Sequence, residues 1–187
     1  MTPMLGIMAS AISGNLFTPS KDYDSIATVT VSTAVSSITF SSIPATYRHL
    51  EIRFIAQNSG YRDIWGRFNG DATNAYNVHA VYGDGASPAG FSGTNPQGYM
   101  NFGYTSLSSQ TSIFGAGVVS ILDYTNTSKY KTVRSLAGYD ANGSGLSVLY
   151  SGLWQNTAAI TSITMYPTTS GTPLFSQYSS FALYGVK

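Results

Sequence analysis

Arg48-His49-Leu50-Glu51-Ile52-Arg53-Phe54-Ile55-Ala56 alternates apolar and polar residues with a period of two. In an extended chain successive side chains point to opposite faces, so Leu50, Ile52 and Phe54 share one face and His49, Glu51 and Arg53 the other. Such a strand is half-buried, with one face on a core and one in water. The same rhythm, rich in β-branched residues, recurs near 25–31, 37–40, 63–68, 77–82, 112–122, 130–137, 146–153, 159–166 and 179–186. No segment keeps an apolar stripe at helical spacing for three turns. Turn residues punctuate these runs at Ile43-Pro44-Ala45, Asn69-Gly70-Asp71, Asn142-Gly143 and Ser170-Gly171-Thr172-Pro173. Asn142-Gly143 is the strongest of them, because a type I′ turn needs positive φ at both central positions. It predicts a hairpin between strands ending near Asp140 and starting near Leu146. About ten short strands separated by turns predict an all-β protein, an antiparallel β-sandwich of jelly-roll type, with an open barrel as the alternative.

The chain has 187 residues, 43% of them apolar, which suits one domain with a sizeable core. Charged residues make up only 9%, where about 25% is usual. Nine Lys and Arg against eight Asp and Glu leave a net charge of +1, and so small a charge offers nothing to hold a phosphate backbone. No nucleic-acid partner is expected. Neutral hydroxyls carry solubility instead, through 27 Ser and 20 Thr. Without cysteine there are no disulfides, thiol nucleophiles or thiolate metal sites. No apolar run reaches the ~18 residues that span a bilayer, so no membrane partner is expected either. Ala9-Ser10-Ala11 imitates a signal cleavage site, but no Lys or Arg precedes Met4–Ile12, and residues 1–22 are expected to stay in the mature protein.

Two stretches break the strand rhythm. Residues 83–98, rich in Gly, Ser and Pro, have the composition of a long surface loop. Residues 1–22 form an apolar N-terminal arm ahead of a single sandwich domain over 23–187, with Met4, Met8 and Ile12 along one side of a two-turn helix. A helix that short needs a docking surface, on its own sandwich or on a neighbour. Met4, Leu5, Met8, Ile12, Leu16 and Phe17 are therefore the expected partner-binding residues. Aromatic residues crowd positions 61–104, as core or as a platform for a sugar or a subunit. Trp65, Tyr76, Tyr82, Phe91 and Tyr99 are the candidate surface-recognition set.

The acid–base inventory is thin, with seven Asp, one Glu and two His. His49 belongs to a wet charged row with Glu51 and Arg53, and His79 has no second ligand at metal spacing. Asp140-Ala141-Asn142-Gly143-Ser144-Gly145 matches half a calcium loop, but Ser151 stands where the bidentate Glu is needed, and a hairpin turn is the preferred reading. Gly83-Asp84-Gly85 and Gly115-Ala116-Gly117 lack the rest of a phosphate-cradling loop. No catalytic, cofactor-binding or metal-binding residue is expected. Lys129, Lys131 and Arg134 form a small basic cluster suited to an inter-subunit salt bridge.

Five segments carry a family likeness: Tyr23–Val31, Phe40–Leu50, Asp123-Tyr124-Thr125-Asn126-Thr127-Ser128-Lys129-Tyr130-Lys131-Thr132-Val133, Gly152-Leu153-Trp154-Gln155-Asn156-Thr157-Ala158-Ala159-Ile160 and Gln177–Gly185. From about Tyr23 onward the chain resembles small β-rich virion structural proteins of tailed bacteriophages, particularly aquatic ones. The resemblance implies a non-enzymatic virion component with no catalytic or cofactor residues to carry over. Its partners would be the major capsid protein or other virion proteins, and it would be a homo-oligomer, with a trimer favoured. A capsid decoration (cement) protein is the leading expectation. A tail fibre or baseplate adhesin, presenting residues 83–98 and the aromatics to a host glycan, is the alternative.

Overall fold

The computed structural model describes residues 22–93, 96–168 and 172–187. Among the described residues there is no helix, and thirteen strands follow one another: β1 (Tyr23–Thr30), β2 (Ile38–Phe40), β3 (His49–Asn58), β4 (Asp63–Phe68), β5 (Tyr76–Gly83), β6 (Pro88–Ser92), β7 (Met100–Tyr104), β8 (Ser106–Leu107), β9 (Gly115–Leu122), β10 (Lys131–Asp140), β11 (Gly145–Trp154), β12 (Ile163–Pro167) and β13 (Ser180–Val186). A nine-stranded sheet runs in the order β1-β13-β3-β9-β10-β11-β5-β6, with β8 alongside β3, and a four-stranded sheet runs β2-β12-β4-β7. All pairings are antiparallel except the two-residue β3–β8 ladder. The protein is an all-β antiparallel sandwich of unequal sheets.

Alternation decides which side chains enter the sandwich. On β3, Leu50, Ile52, Phe54 and Ala56 are buried, while Arg53 and Ile55 lie outside. The small sheet answers with Ile64, Phe68, Met100, Phe102, Ile163 and Met165, all buried. Close packing on the inner faces depends on missing side chains. A Cβ on Gly66 would lie 2.1 Å from the Phe102 ring, one on Gly117 2.4 Å from the Phe54 ring, and one on Gly152 2.2 Å from Met100 Sδ. Large groups thus seat on bare backbone of the facing or neighbouring strand.

A second anchor closes the corner after β4. Asn69 and Gly70 both take positive φ, 52° and 70°, and turn the chain from the small sheet toward β5 of the large one. Asp71 follows, and its carboxylate accepts from Trp154 Nε1 at 2.8 Å and from the Thr73 hydroxyl at 2.6 Å. Trp154 is stacked on Tyr76, with centroids 6.2 Å apart, and Phe68 leans on both rings.

The hairpin at Asn142-Gly143 forms as expected. Ala141 N–H donates to Ser144 O at 2.7 Å, and φ is 53° and 106° at the two central residues. The stretch 83–98 departs from the expected loop. Pro88–Ser92 is an edge strand paired to His79–Gly83, so an Asp84-capped turn and a short strand replace much of the excursion. Its residues are all exposed, and an edge strand without a buried face carries no period-two signal. The closing segment is also more central than a terminal strand suggests, since β13 pairs with both β1 and β3.

The glycine seats generate a direct test. Gly66→Val, which forces the Phe102 ring aside, is expected to cost at least about 1–3 kcal/mol in urea unfolding. Gly83→Ala, whose new Cβ would meet only a carbonyl oxygen at 3.8 Å, is expected to change stability by less than about 0.5 kcal/mol. Equal effects of the two substitutions would refute the seating argument.

Candidate interaction surfaces

The five candidate aromatics do not form one platform. Trp65 and Tyr99 meet on the outer face of the small sheet, stacked with centroids 3.6 Å apart and 14° between planes. Tyr166 meets Trp65 edge-on at 6.3 Å, Arg67 lies 5.2 Å over Tyr166, and Arg67 Nε donates to Gly98 O at 2.8 Å. Tyr99 therefore occupies one face of the Trp65 indole. Tyr76 is a correction: it is fully buried at 0% exposure, and its hydroxyl accepts from Phe68 N–H at 3.0 Å and donates to Asp71 O at 3.1 Å. Its strand phase points it inward, opposite to Asn77. Tyr82 shares that inward phase and packs half-buried on the core. Phe91 is partly exposed at the sheet edge, with its ring edge-on to Tyr150 at 6.0 Å. Met4, Leu5, Met8, Ile12, Leu16 and Phe17 lie outside the described residues.

The charged groups are likewise dispersed. Glu51 is only 8% exposed, contrary to the wet row expected for it. Arg53 Nε donates to its carboxylate at 2.8 Å, and the Arg53 guanidinium lies between the rings of Tyr23 and Tyr184, 5.2 and 5.0 Å away. His49 Nδ1 accepts from Asp123 N–H at 2.9 Å. Asp123 also pairs with Lys129, whose hydrogen bond holds its carboxyl below the usual range. Lys131 is buried and donates to the carbonyls of Asn126, Lys129 and Thr157 at 2.6, 3.2 and 3.0 Å. Desolvation lowers its pKa. Arg134 alone of the basic trio is an exposed side chain on the outer sheet face, so the three do not act as one cluster. In the Asp140–Gly145 turn, Asp140 Oδ1 accepts from Asn142 N–H at 2.8 Å. Among the described residues no group of three or more His, Cys, Asp and Glu lies close enough to hold a metal ion.

Asp63, heading β4, is the most perturbed carboxyl. Burial lifts it from 3.8 to about 6, against a hydrogen bond from Tyr104. Its charge in turn helps to raise Tyr99, Tyr104 and Tyr150, although burial is the larger cause in each.

The largest departure from the sequence reading lies on the outer face of the nine-stranded sheet. Val118, Leu136, Leu149 and Val81 are directly paired across β9, β10, β11 and β5. They are 39%, 62%, 45% and 60% exposed, and Ile55 on β3 adds 57% near the end of the row. Shallow hollows flank the row. One of about 470 Å³ lies over Ala116, Gly138 and Ser147, and one of about 500 Å³ lies beside Gly90 and Ser92. The signal for this face stands in the sequence as doubled apolar residues inside strands: Phe54-Ile55, Val118-Val119, Leu136-Ala137, Val148-Leu149 and Ala80-Val81. Each pair fills both faces of its strand at one level.

No family model, curated protein or solved structure matches this chain.

The Asp63 geometry predicts a pH signature. A carboxyl raised to about 6 in the fold and near 3.8 when unfolded favours the folded state only in its protonated form, so stability falls as pH rises between those values. Asp63→Asn, which keeps an acceptor for Tyr104, is expected to remove that fall and to be more stable than wild type above pH 6 by up to about 3 kcal/mol. Urea midpoints of both proteins from pH 4 to pH 7.5 check it. Parallel curves would contradict the burial of this carboxyl.

Proposed function

We propose that this chain is a non-enzymatic structural protein of a bacteriophage virion, a capsid decoration (cement) protein that works as a homo-oligomer and stabilises the shell through inter-subunit contacts. The single observation that carries the reading is the bare apolar row Val118–Leu136–Leu149–Val81 on the broad outer sheet face. Contiguous exposed apolar surface on a soluble domain marks an association site, and four paired strands present it on a rigid support. The low charge agrees with this role, because a surface meant to be covered does without the charged residues that keep monomers apart. The likeness to small β-rich virion proteins supplies the setting.

A tail adhesin would need exposed ring faces for a sugar. Of the five candidate aromatics, Tyr99 occupies one face of Trp65, Tyr76 is buried and Tyr82 packs on the core, which leaves Phe91 at the sheet edge. Further exposed rings, Tyr61, Tyr130 and Tyr178, stand on separate loops, and rings so dispersed favour the decoration reading over the adhesin.

Quantitative mass spectrometry of purified virions tests the proposal. Abundance comparable to the major shell protein is expected. Tail-like copy numbers, or absence from the particle, would overturn it.

A further inference from the structure

Self-complementarity is written into the rows beside the apolar stripe. One residue pair along the strands in one direction stand Ser120, Arg134, Ser151 and His79, paired in register across β9, β10, β11 and β5. An equal step the other way stand Ala116, Gly138, Ser147 and Gly83, again in register. The first row carries Arg134 and His79 and borders the 500 Å³ hollow; the second carries no long side chain on these four strands and borders the 470 Å³ hollow, which Arg53 of β3 also lines.

We infer that a second copy of this chain covers the stripe, related by a two-fold axis that lies in the face and runs along Val118–Leu136–Leu149–Val81. The inference rests on the reading of this row as an association surface and names its partner. A two-fold contact requires one patch to hold both halves of a complementary pair. Rotation about this axis lays stripe on stripe and puts each copy's Arg134 row over the other copy's Gly138 row. Bulk then enters the hollow, and each Arg134 guanidinium meets small residues and the Ser147 hydroxyl of the other copy, while Arg53, the cation that also lines that hollow, is already paired with Glu51 at 2.8 Å.

The area suffices. The six strands from β3 to β6 hold 51 residues, each covering about 3.3 Å along the strand and about 4.8 Å across it. That footprint of about 800 Å² matches the ~800 Å² per partner of a standard interface. Sheets packed face to face at about 10 Å are an ordinary solution for such surfaces.

Sedimentation velocity of the full-length protein at micromolar concentration tests this. The wild type is expected to be a dimer, and Leu136→Glu is expected to weaken it at least about 100-fold. Leu136 is mostly exposed, so folding should survive the change; Val81→Glu, on a different strand, provides an independent variant, and circular dichroism verifies both. A chain carrying Leu136→Cys, otherwise free of cysteine, is expected to be linked to its own copy by a short bismaleimide. A wild-type monomer, the result if residues 1–21 or a shell protein cover the face, would overturn the inference. So would a trimer, or a dimer indifferent to both glutamates. These outcomes are separate from the copy number: a monomer abundant on the particle would sink the dimer alone, and a dimer absent from particles would sink only the virion role.

Discussion

Among the described residues four strands shield one face of nine, and no second layer covers the other. Every strand of the large sheet has an inner and an outer side, and only the inner side meets the small sheet. Where the outer residues are hydroxyls, Arg or His, water is an adequate partner. Where they are Val118, Leu136, Leu149, Val81 and Ile55, water is a poor one, because each of these side chains, 39–62% exposed, forgoes about half of the roughly 1.5–3 kcal/mol that full burial brings. A face with that composition is suited to being covered, which is what the proposed association supplies.

The covered side shows how tightly the layers fit. Phe102 on Gly66, Phe54 on Gly117 and Met100 on Gly152 place large groups where a neighbouring residue has none. Polar groups inside the fold are tied as firmly, with Trp154 and Tyr76 bound to Asp71 and Lys131 bound to three backbone carbonyls. Trp154–Asp71 and Lys131–Thr157 tie strands to loops distant in sequence, and such ties help to hold the sheet's outer pattern in register. Rigidity matters for association, since a preorganised face loses little conformational freedom when it is covered.

Alternation in Arg48–Ala56 and the turn at Asn142-Gly143 were sufficient to place most strands to within a few residues, because both signals are local. The edge strand Pro88–Ser92 escaped notice because nothing on it is buried. Tyr76 was misplaced on the surface because an aromatic residue in a strand has the same composition whether its phase is inward or outward; Asn77 beside it marks the phase only once the register is known. Glu51 and Lys131 illustrate the converse: Glu51 is held by Arg53 of its own strand and Tyr23 of β1, and Lys131 by loop carbonyls. The outer stripe was legible residue by residue, in pairs such as Val118-Val119 and Val148-Leu149. Its continuity was not, because it depends on the order β9-β10-β11-β5, which joins strands across gaps in sequence.

An eight-strand-wide sheet with a bare apolar row, few charges and a hydroxyl-rich periphery makes sense as part of an assembly. On the proposal above, the outer face is covered when the protein is at work. Hydroxyl-radical footprinting of the full-length protein, read by mass spectrometry across a dilution series, addresses it residue by residue. Leu136, Leu149 and Val81 should be protected at high concentration and become oxidised on dilution, while Tyr61 and Tyr178, 66% and 71% exposed and away from the stripe, react equally throughout. Oxidation of Leu136 that tracks its 62% exposure at every concentration would contradict a covered face.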